Sequence, residues 1–453
     1  MEVLYLAPVA SADGCLSASF IYNEMLSNPR LNRMLQTNDS GKYRWFSYGV
    51  YFLIFFTLSV QYKLDNHEAV RPLYTYGLLI VGLVWLLSLF RSNLFAILYR
   101  AWGGLGNFIM VLLLVYIFGN SIFFGSRQFK DALYLSYWIL LVAPLFIINS
   151  RNIGTSYSIV FFSHSVIYFC IISSIVSILV FFGIVQLEVG SYLLIQNSWT
   201  ATRLHGYLGQ PTAFGALVGF SLILISYLSK LNKIRFPSLI SLFLFMILIA
   251  SGSKSALIGL IGAYGVAYLI GPKRLSAAFA AKILLSLVLT STVFFLVVFH
   301  YFSDSIFLMD RIQDFDLENV NSRFYIWFET ITLIGAADSF FSIFFGNGAG
   351  SLVSINRAAF NVPLHIFYDY GIVGIALYMG AVIVSMLVGL KRFKVSGDFI
   401  YMLGLMLLVF GFIFNLFISS FLSPFFNFQT FSLVLGIIIV NLPIKFLSRS
   451  KVN

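Results

Sequence analysis

The feature that most constrains this chain is a series of apolar stretches, each long enough to cross a lipid bilayer as a helix. A hydrocarbon core of about 30 Å needs roughly 20 helical residues. With 60% hydrophobic residues, 10% charged residues and a mean hydropathy of +0.92, the sequence predicts an integral membrane protein. The predicted spans are 45–62, 74–90, 103–124, 132–149, 158–187, 211–229, 237–251, 255–271, 282–301, 364–390, 399–421 and 428–446.

These stretches predict an all-α fold, a polytopic bundle of about 12 transmembrane helices. The predicted organisation is an N-terminal tail (1–44), spans one to nine (45–301) with an outer loop at 188–210, a large outer loop (302–363), spans ten to twelve (364–446) and a C-terminal tail (447–453).

Basic residues predict the orientation of the bundle. Of the 28 Lys and Arg residues, 19 fall in the loops on the side of the N-terminus and 9 in the opposite set. The positive-inside rule therefore predicts that both termini are cytoplasmic. The net charge of +11 is explained by topology and by contact with anionic lipids, so no nucleic-acid partner is predicted.

Motifs for common cofactors are not found. The sequence has no P-loop, dinucleotide fingerprint or Cys/His cluster, and Cys15 and Cys170 fall in different parts of the predicted topology. We therefore predict no cofactor, metal site or disulfide.

The predicted outer loop at 302–363 is 62 residues long, a length typical of functional or disordered segments. Its many aromatic and aliphatic residues argue against disorder. Phe324, Trp327, Phe328 and Ile331 recur at helical spacing, which predicts an amphipathic helix on the membrane surface. The GNGAG stretch at 346–350 predicts a glycine-rich turn.

Several basic side chains fall on the predicted outer face. Arginine forms bidentate hydrogen bonds with phosphate oxygens, which makes Arg203, Arg323 and Arg357 candidates for binding a lipid pyrophosphate, together with Lys254. The alternative is that these residues are interfacial anchors or surface partners of the acidic residues in the loop.

His365 and Asp369 are a candidate acid–base pair. Residues four apart share a helix face, and a carboxylate there orients an imidazole as a general base. The alternative is a hydrogen-bonded structural histidine. Gly371 and Gly374 follow, and small residues at this spacing predict close packing between membrane helices.

Three stretches resemble the superfamily of bacterial O-antigen polymerases and O-antigen ligases. One is RLHGYLGQPTAFGA, with Arg203, Gly206 and Pro211, in which Thr212 replaces the usual asparagine. The second is SGSKSALIGL, 251–260. The third runs from Arg323 and Trp327 through FGNGAG to NVPLHIFYDYGIVG. Phe360 occupies the slot in which ligases carry a histidine, and His365 follows five residues later, which favours a polymerase.

The resemblance implies a metal-independent, inverting glycosyltransferase of the membrane-embedded, GT-C-like kind in the bacterial inner membrane. It would transfer a glycan from undecaprenyl pyrophosphate to an acceptor sugar hydroxyl at the periplasmic face. Arg203, Arg323, Arg357 and Lys254 would bind the pyrophosphate, and His365 with Asp369 would act on the acceptor. The expected partners are the lipid-linked oligosaccharide, membrane lipids and a chain-length regulator protein.

Other functions remain open at the level of sequence. Within the family, the alternatives are a ligase that transfers glycan to the lipid A core and a polymerase of a capsule or exopolysaccharide. A flippase or other transporter would also have about twelve spans. Transporters commonly carry charged residues at mid-membrane and repeated halves, whereas the charges of this chain gather in one outer loop.

Overall fold

The fold is described from a computed structural model, which covers residues 104–124, 155–181, 204, 211–271, 317–336, 339–348, 350–354, 361–417 and 428–442. Within these residues all regular structure is α-helical. The helices are α1 (Leu105–Phe123), α2 (Thr155–Phe181), α3 (Pro211–Lys230), α4 (Pro237–Ser251), α5 (Lys254–Ile270), α6 (Leu317–Gly335), α7 (Phe340–Phe345), α8 (Ser351–Ser354), α9 (Val362–Ser396), α10 (Phe399–Asn415) and α11 (Phe428–Asn441).

Four of these helices are long and apolar enough to cross a membrane. They are α1, α9, and the Phe162–Leu179 and Thr212–Lys230 parts of α2 and α3. The apolar helices α4, α5, α10 and α11 are shorter. A membrane favours this architecture because a helix pairs its own backbone groups where water cannot. The predicted spans at 45–62, 74–90, 132–149 and 282–301 lie outside the described residues, so the total of about twelve stays a prediction.

Helix α10 lies at the centre of the described bundle. Its residues from Ile400 to Gly411 are all buried, and it packs against α3, α5, α9 and α11. Gly436 of α11 lies so close to α10 that a Cβ atom there would overlap the backbone of Leu408. Helices that lack a large side chain at the crossing can bring their backbones together, which strengthens packing in lipid.

Basic residues gather at one end of the bundle, which we call the basic end. The Lys230 ammonium lies 5.4 Å from the centre of the Phe399 ring, and Arg392 donates to the backbone carbonyls of Val440 and Leu442. Six of the eight Lys and Arg residues in the described part of the chain are here, namely Lys230, Lys233, Arg235, Lys391, Arg392 and Lys394.

The opposite end, which we call the site end, is formed by the C-terminus of α1, the turn between α4 and α5, helices α6 to α8, and the start of α9. The rings of Trp327 in α6 and Phe417 after α10 lie 6.3 Å apart, which fixes α6 at this end. The remaining two described basic residues, Lys254 and Arg323, are also here.

Candidate functional site

The site is built around a break in α9. Asn361 caps this helix, because its side-chain oxygen accepts from the Leu364 backbone N–H at 3.1 Å. The helix is interrupted at Gly371, whose φ of 65° and ψ of −165° lie outside the helical region. Only glycine adopts such angles readily. A Cβ atom at Gly371 would also overlap the Phe344 backbone at the end of α7.

This break corrects the interpretation of the two glycines. Gly371 does permit a close approach, but to the short helix α7 and at a point where α9 is broken. At Gly374, the atoms nearest to an added Cβ atom belong to the side chains of Tyr370 and Ile366 in α9 itself.

Asp369 lies at the end of the first segment of α9 and is fully buried. Its Oδ2 accepts from the Gly350 N–H at 2.8 Å, and its Oδ1 accepts from the Ser351 hydroxyl at 2.9 Å and from the Leu352 N–H at 3.2 Å. A buried carboxylate is tolerated only where donors replace water. Residues 350–352, at the end of the GNGAG stretch and the start of α8, therefore hold Asp369 in place.

His365 adds a fourth donor to the same carboxylate. Its Nε2 lies 3.0 Å from Asp369 Oδ2, and its side chain is 4% exposed. Because the carboxylate can only accept, the bond places a proton on Nε2. The contact that the four-residue spacing predicts is thus present, while the catalytic role of the pair remains a prediction.

Donors from outside α9 satisfy the carbonyl groups next to the break. The Tyr368 carbonyl accepts from the Asn347 backbone and side-chain N–H groups, both at 3.2 Å, and the Asp369 carbonyl accepts from the Gly348 N–H at 3.0 Å. The Tyr116 hydroxyl of α1 lies 2.9 Å from the Tyr370 carbonyl oxygen. The GNGAG stretch is therefore a turn, as predicted, and it also caps the first segment of α9.

Sequence reasoning missed the residues of α1 that reach this site. Tyr116 and Asn120 lie one turn apart, and both contact the carbonyl oxygen of Phe345, at 3.0 and 2.7 Å. No sequence pattern distinguishes them from the other polar residues of an apolar helix.

Lys254 begins α5 at the site end and its side chain is exposed. The Leu204 N–H lies 3.4 Å from the Ala250 carbonyl oxygen. Leu204, which directly follows Arg203, therefore contacts the end of α4, just before the turn that leads to Lys254. Arg203 itself lies outside the described residues. The neighbouring Ser253 hydroxyl is buried and has no hydrogen-bond partner in the described part of the chain.

Arg323 lies on α6, one helical turn before Trp327, so the backbone places it at the site end. Arg357 lies outside the described residues. The structure thus brings Lys254, α6 and the His365–Asp369 pair to one end of the bundle. Among the described residues, no group of three His, Cys, Asp or Glu side chains has an arrangement that could hold a metal ion.

Residues 239–379 match the family model described as O-Antigen ligase (Wzy_C). The matched segment runs from α4 through the break in α9, and so includes Lys254, Arg323, His365 and Asp369. No curated protein matches the sequence. This segment of the chain is thus similar to the O-antigen ligase family, and the match does not distinguish a polymerase from a ligase.

Proposed function

We propose that the protein is a membrane-embedded polymerase of O-antigen or another surface polysaccharide. It transfers a glycan from undecaprenyl pyrophosphate to an acceptor sugar hydroxyl of a lipid-linked repeat unit, at the periplasmic face of the bacterial inner membrane. The observation that carries the proposal is the buried Asp369 carboxylate, which orients the His365 imidazole at the same end of the bundle as Lys254.

The proposed reaction is a single displacement with inversion. The acceptor oxygen attacks the anomeric carbon, its proton passes to His365 Nδ1, and the bond from the anomeric carbon to the pyrophosphate oxygen breaks. Asp369 keeps the imidazole in the required orientation and stabilises its protonated form. A positioned general base of this kind is worth about 10² to 10⁴ in rate.

Negative charge develops on the departing pyrophosphate, and we assign its stabilisation to the basic residues at the site end. Arg203, Arg323 and Lys254 are the main candidates, with Arg357 as a fourth. Preorganised cations and donors stabilise such charge without a metal ion. The Ser253 hydroxyl is an additional donor, since it lies buried beside Lys254 at the start of α5.

Polymerase and ligase activities share this chemistry and differ in the acceptor. The phenylalanine at 360 favours a polymerase, because the resemblance associates ligases with a histidine there. The description of the matching family as O-Antigen ligase favours the alternative, in which the acceptor is the lipid A core. The chain-length regulator stays a predicted partner of the polymerase.

Complementation of surface polysaccharide separates these activities. Cells whose own copy is deleted receive wild-type, His365→Ala, Asp369→Asn or Arg323→Ala protein at matched membrane levels, and their glycans are resolved on a gel. His164→Ala and Arg235→Ala are matched controls, because these residues lie at the basic end. A polymerase is expected to leave a single repeat unit in the deletion strain. The three site variants should then fail to restore the ladder, while both controls should restore it.

Two other results would change the assignment. Long chains that remain unattached on their lipid carrier in the deletion strain would identify a ligase. A normal ladder from His365→Ala and Arg323→Ala would show that these side chains are structural or interfacial, and the proposed site would be wrong.

A further inference from the structure

We propose that Tyr116 and Asn120 of α1 are positioning residues for the His365–Asp369 pair. The inference rests on the proposed function, and it assigns a role in that function to two residues far outside the segment that matches the O-antigen ligase family. In the described part of the chain, the side chains of Tyr116 and Asn120 bond to backbone carbonyl groups and not to His365 or Asp369. Both act by holding the backbone that carries the pair and its donors.

Together, the two side chains supply hydrogen-bond donors to the backbone carbonyl groups of Phe345 and Tyr370. The Tyr116 hydroxyl lies 3.0 Å from the Phe345 carbonyl oxygen and 2.9 Å from that of Tyr370, but it has a single proton to donate. The Asn120 amide donates to the Phe345 carbonyl at 2.7 Å. Because Asn120 satisfies Phe345, the Tyr116 proton is available to Tyr370.

These carbonyl groups lie at the two points that set the position of Asp369. Tyr370 directly follows Asp369 and precedes the break at Gly371. Phe345 is the last residue of α7, directly before the GNGAG turn. That turn leads to Gly350, whose N–H binds the Asp369 carboxylate. Helix α1 therefore fixes both the segment that carries the pair and the segment that binds it.

The cost of leaving these groups unpaired explains why the arrangement needs α1. A carbonyl group in apolar surroundings loses its hydrogen bonds to water, so an unpaired one is strongly unfavourable. Without the Tyr116 hydroxyl, the Tyr370 carbonyl must find another donor. We expect the backbone at the break to rearrange, and Asp369 and His365 to shift with it. A displacement of about 1 Å at a catalytic group is enough to lower a rate by roughly 100-fold.

Tyr116→Phe tests this with a minimal change, since the ring that packs edge-on against Tyr370 at 6.4 Å is kept. The matched control is Tyr264→Phe, because the Tyr264 hydroxyl also bonds a backbone carbonyl between helices, that of Leu222, away from the site. Turnover is measured with purified full-length protein in proteoliposomes and the lipid-linked repeat unit extracted from the deletion strain.

We expect Tyr116→Phe to lower kcat roughly 10-fold with KM unchanged, because a displaced His365–Asp369 pair stabilises the transition state less well while substrate binding is unaffected. Tyr264→Phe should keep wild-type kcat. Equal kcat values for the two variants would overturn the inference. If Tyr116→Phe does not fold, judged by thermal unfolding, Asn120→Ala is measured against the same control with the same criterion.

A double-mutant cycle separates this inference from the proposed function. A positioning residue that acts through His365 should have no further effect in a His365→Ala background, so the kcat losses should not multiply. Losses that do multiply would show that Tyr116 acts independently of the pair, which would overturn the inference alone. Wild-type kcat in His365→Ala would instead overturn the assignment of the general base.

Discussion

Asp369 combines complete burial with four donors on its two carboxylate oxygens, one from a side chain of its own helix and three from residues 350–352. Such a carboxylate has two uses. It locks α9 to the preceding turn, and it sets the tautomer of His365. An Asp369→Asn variant would not separate these two roles, because its amide NH₂ group would face N–H or O–H donors and would disturb both sets of hydrogen bonds. The His365 variants are therefore the cleaner test of catalysis.

Gly371 gives a prediction about stability at the scale of one residue. Gly371→Ala should destabilise the protein by about 1–3 kcal/mol, because alanine is strained at a φ of 65° and its methyl group would overlap Phe344. The control is Gly265→Ala in α5, where a Cβ atom meets no other atom within 4 Å. That change should be neutral or stabilise by about 0.5–1 kcal/mol. Thermal unfolding in detergent measures both.

A lower unfolding midpoint for Gly371→Ala than for Gly265→Ala is the expected order. The same midpoint in both would mean that α9 is unbroken at this position, and the hydrogen bonds from Asn347 and Gly348 to its carbonyl groups would then be absent.

At the scale of an element, the apolar residues of α6 have two different environments: some are exposed and one packs against the bundle. The exposed apolar side chains are Tyr325, Phe328 and Ile331, at 66%, 69% and 53%. Trp327, which the sequence placed on the same face, instead packs against Phe417. The helix was predictable because its periodicity is local. The packing of Trp327 could not be predicted, since it depends on Phe417, which lies 90 positions away in the sequence.

The exposed face of α6 is expected to lie in the membrane interface. A fluorophore on Phe328→Cys should be quenched by spin-labelled lipids more than by aqueous iodide. Lys254→Cys, exposed and polar at the same end, should show the reverse preference. Quenching of both positions by iodide would place this face of α6 in water and remove the interfacial interpretation.

At the scale of the whole molecule, the local parts of the fold and of the site were predictable, and the distant contacts were not. The bounds of α4 coincide with a predicted span, and the spacing of His365 and Asp369 predicted their contact. Apolar runs and four-residue spacings are local properties. Tyr116 reaches Tyr370 across 254 residues, and nothing in one sequence pairs positions that far apart. The break at Gly371 was missed for a similar reason, since it depends on the approach of α7.

The distribution of charge predicts which end of the bundle faces the cytoplasm. Six of the eight described basic residues lie at the basic end, so the positive-inside rule places that end inside. In intact cells, a membrane-impermeant maleimide should label Ala336→Cys at the site end and leave Arg235→Cys unlabelled until the inner membrane is permeabilised. Cys15→Ser serves as the background, since Cys170 is buried. The opposite labelling pattern would invert the topology.

The sequence distances of the hydrogen bonds at Asp369 imply an order of assembly. Residues 350–352 lie 17 to 19 positions before Asp369, so forming these hydrogen bonds closes only a short loop. Tyr116 and Asn120 lie 225 to 254 positions from their partners, and closing such a loop costs more entropy and time. The hydrogen bonds from residues 350–352 to Asp369 should therefore form early. Its attachment to α1 should follow only when the bundle closes, so the two parts of the site are expected to form at different stages of folding.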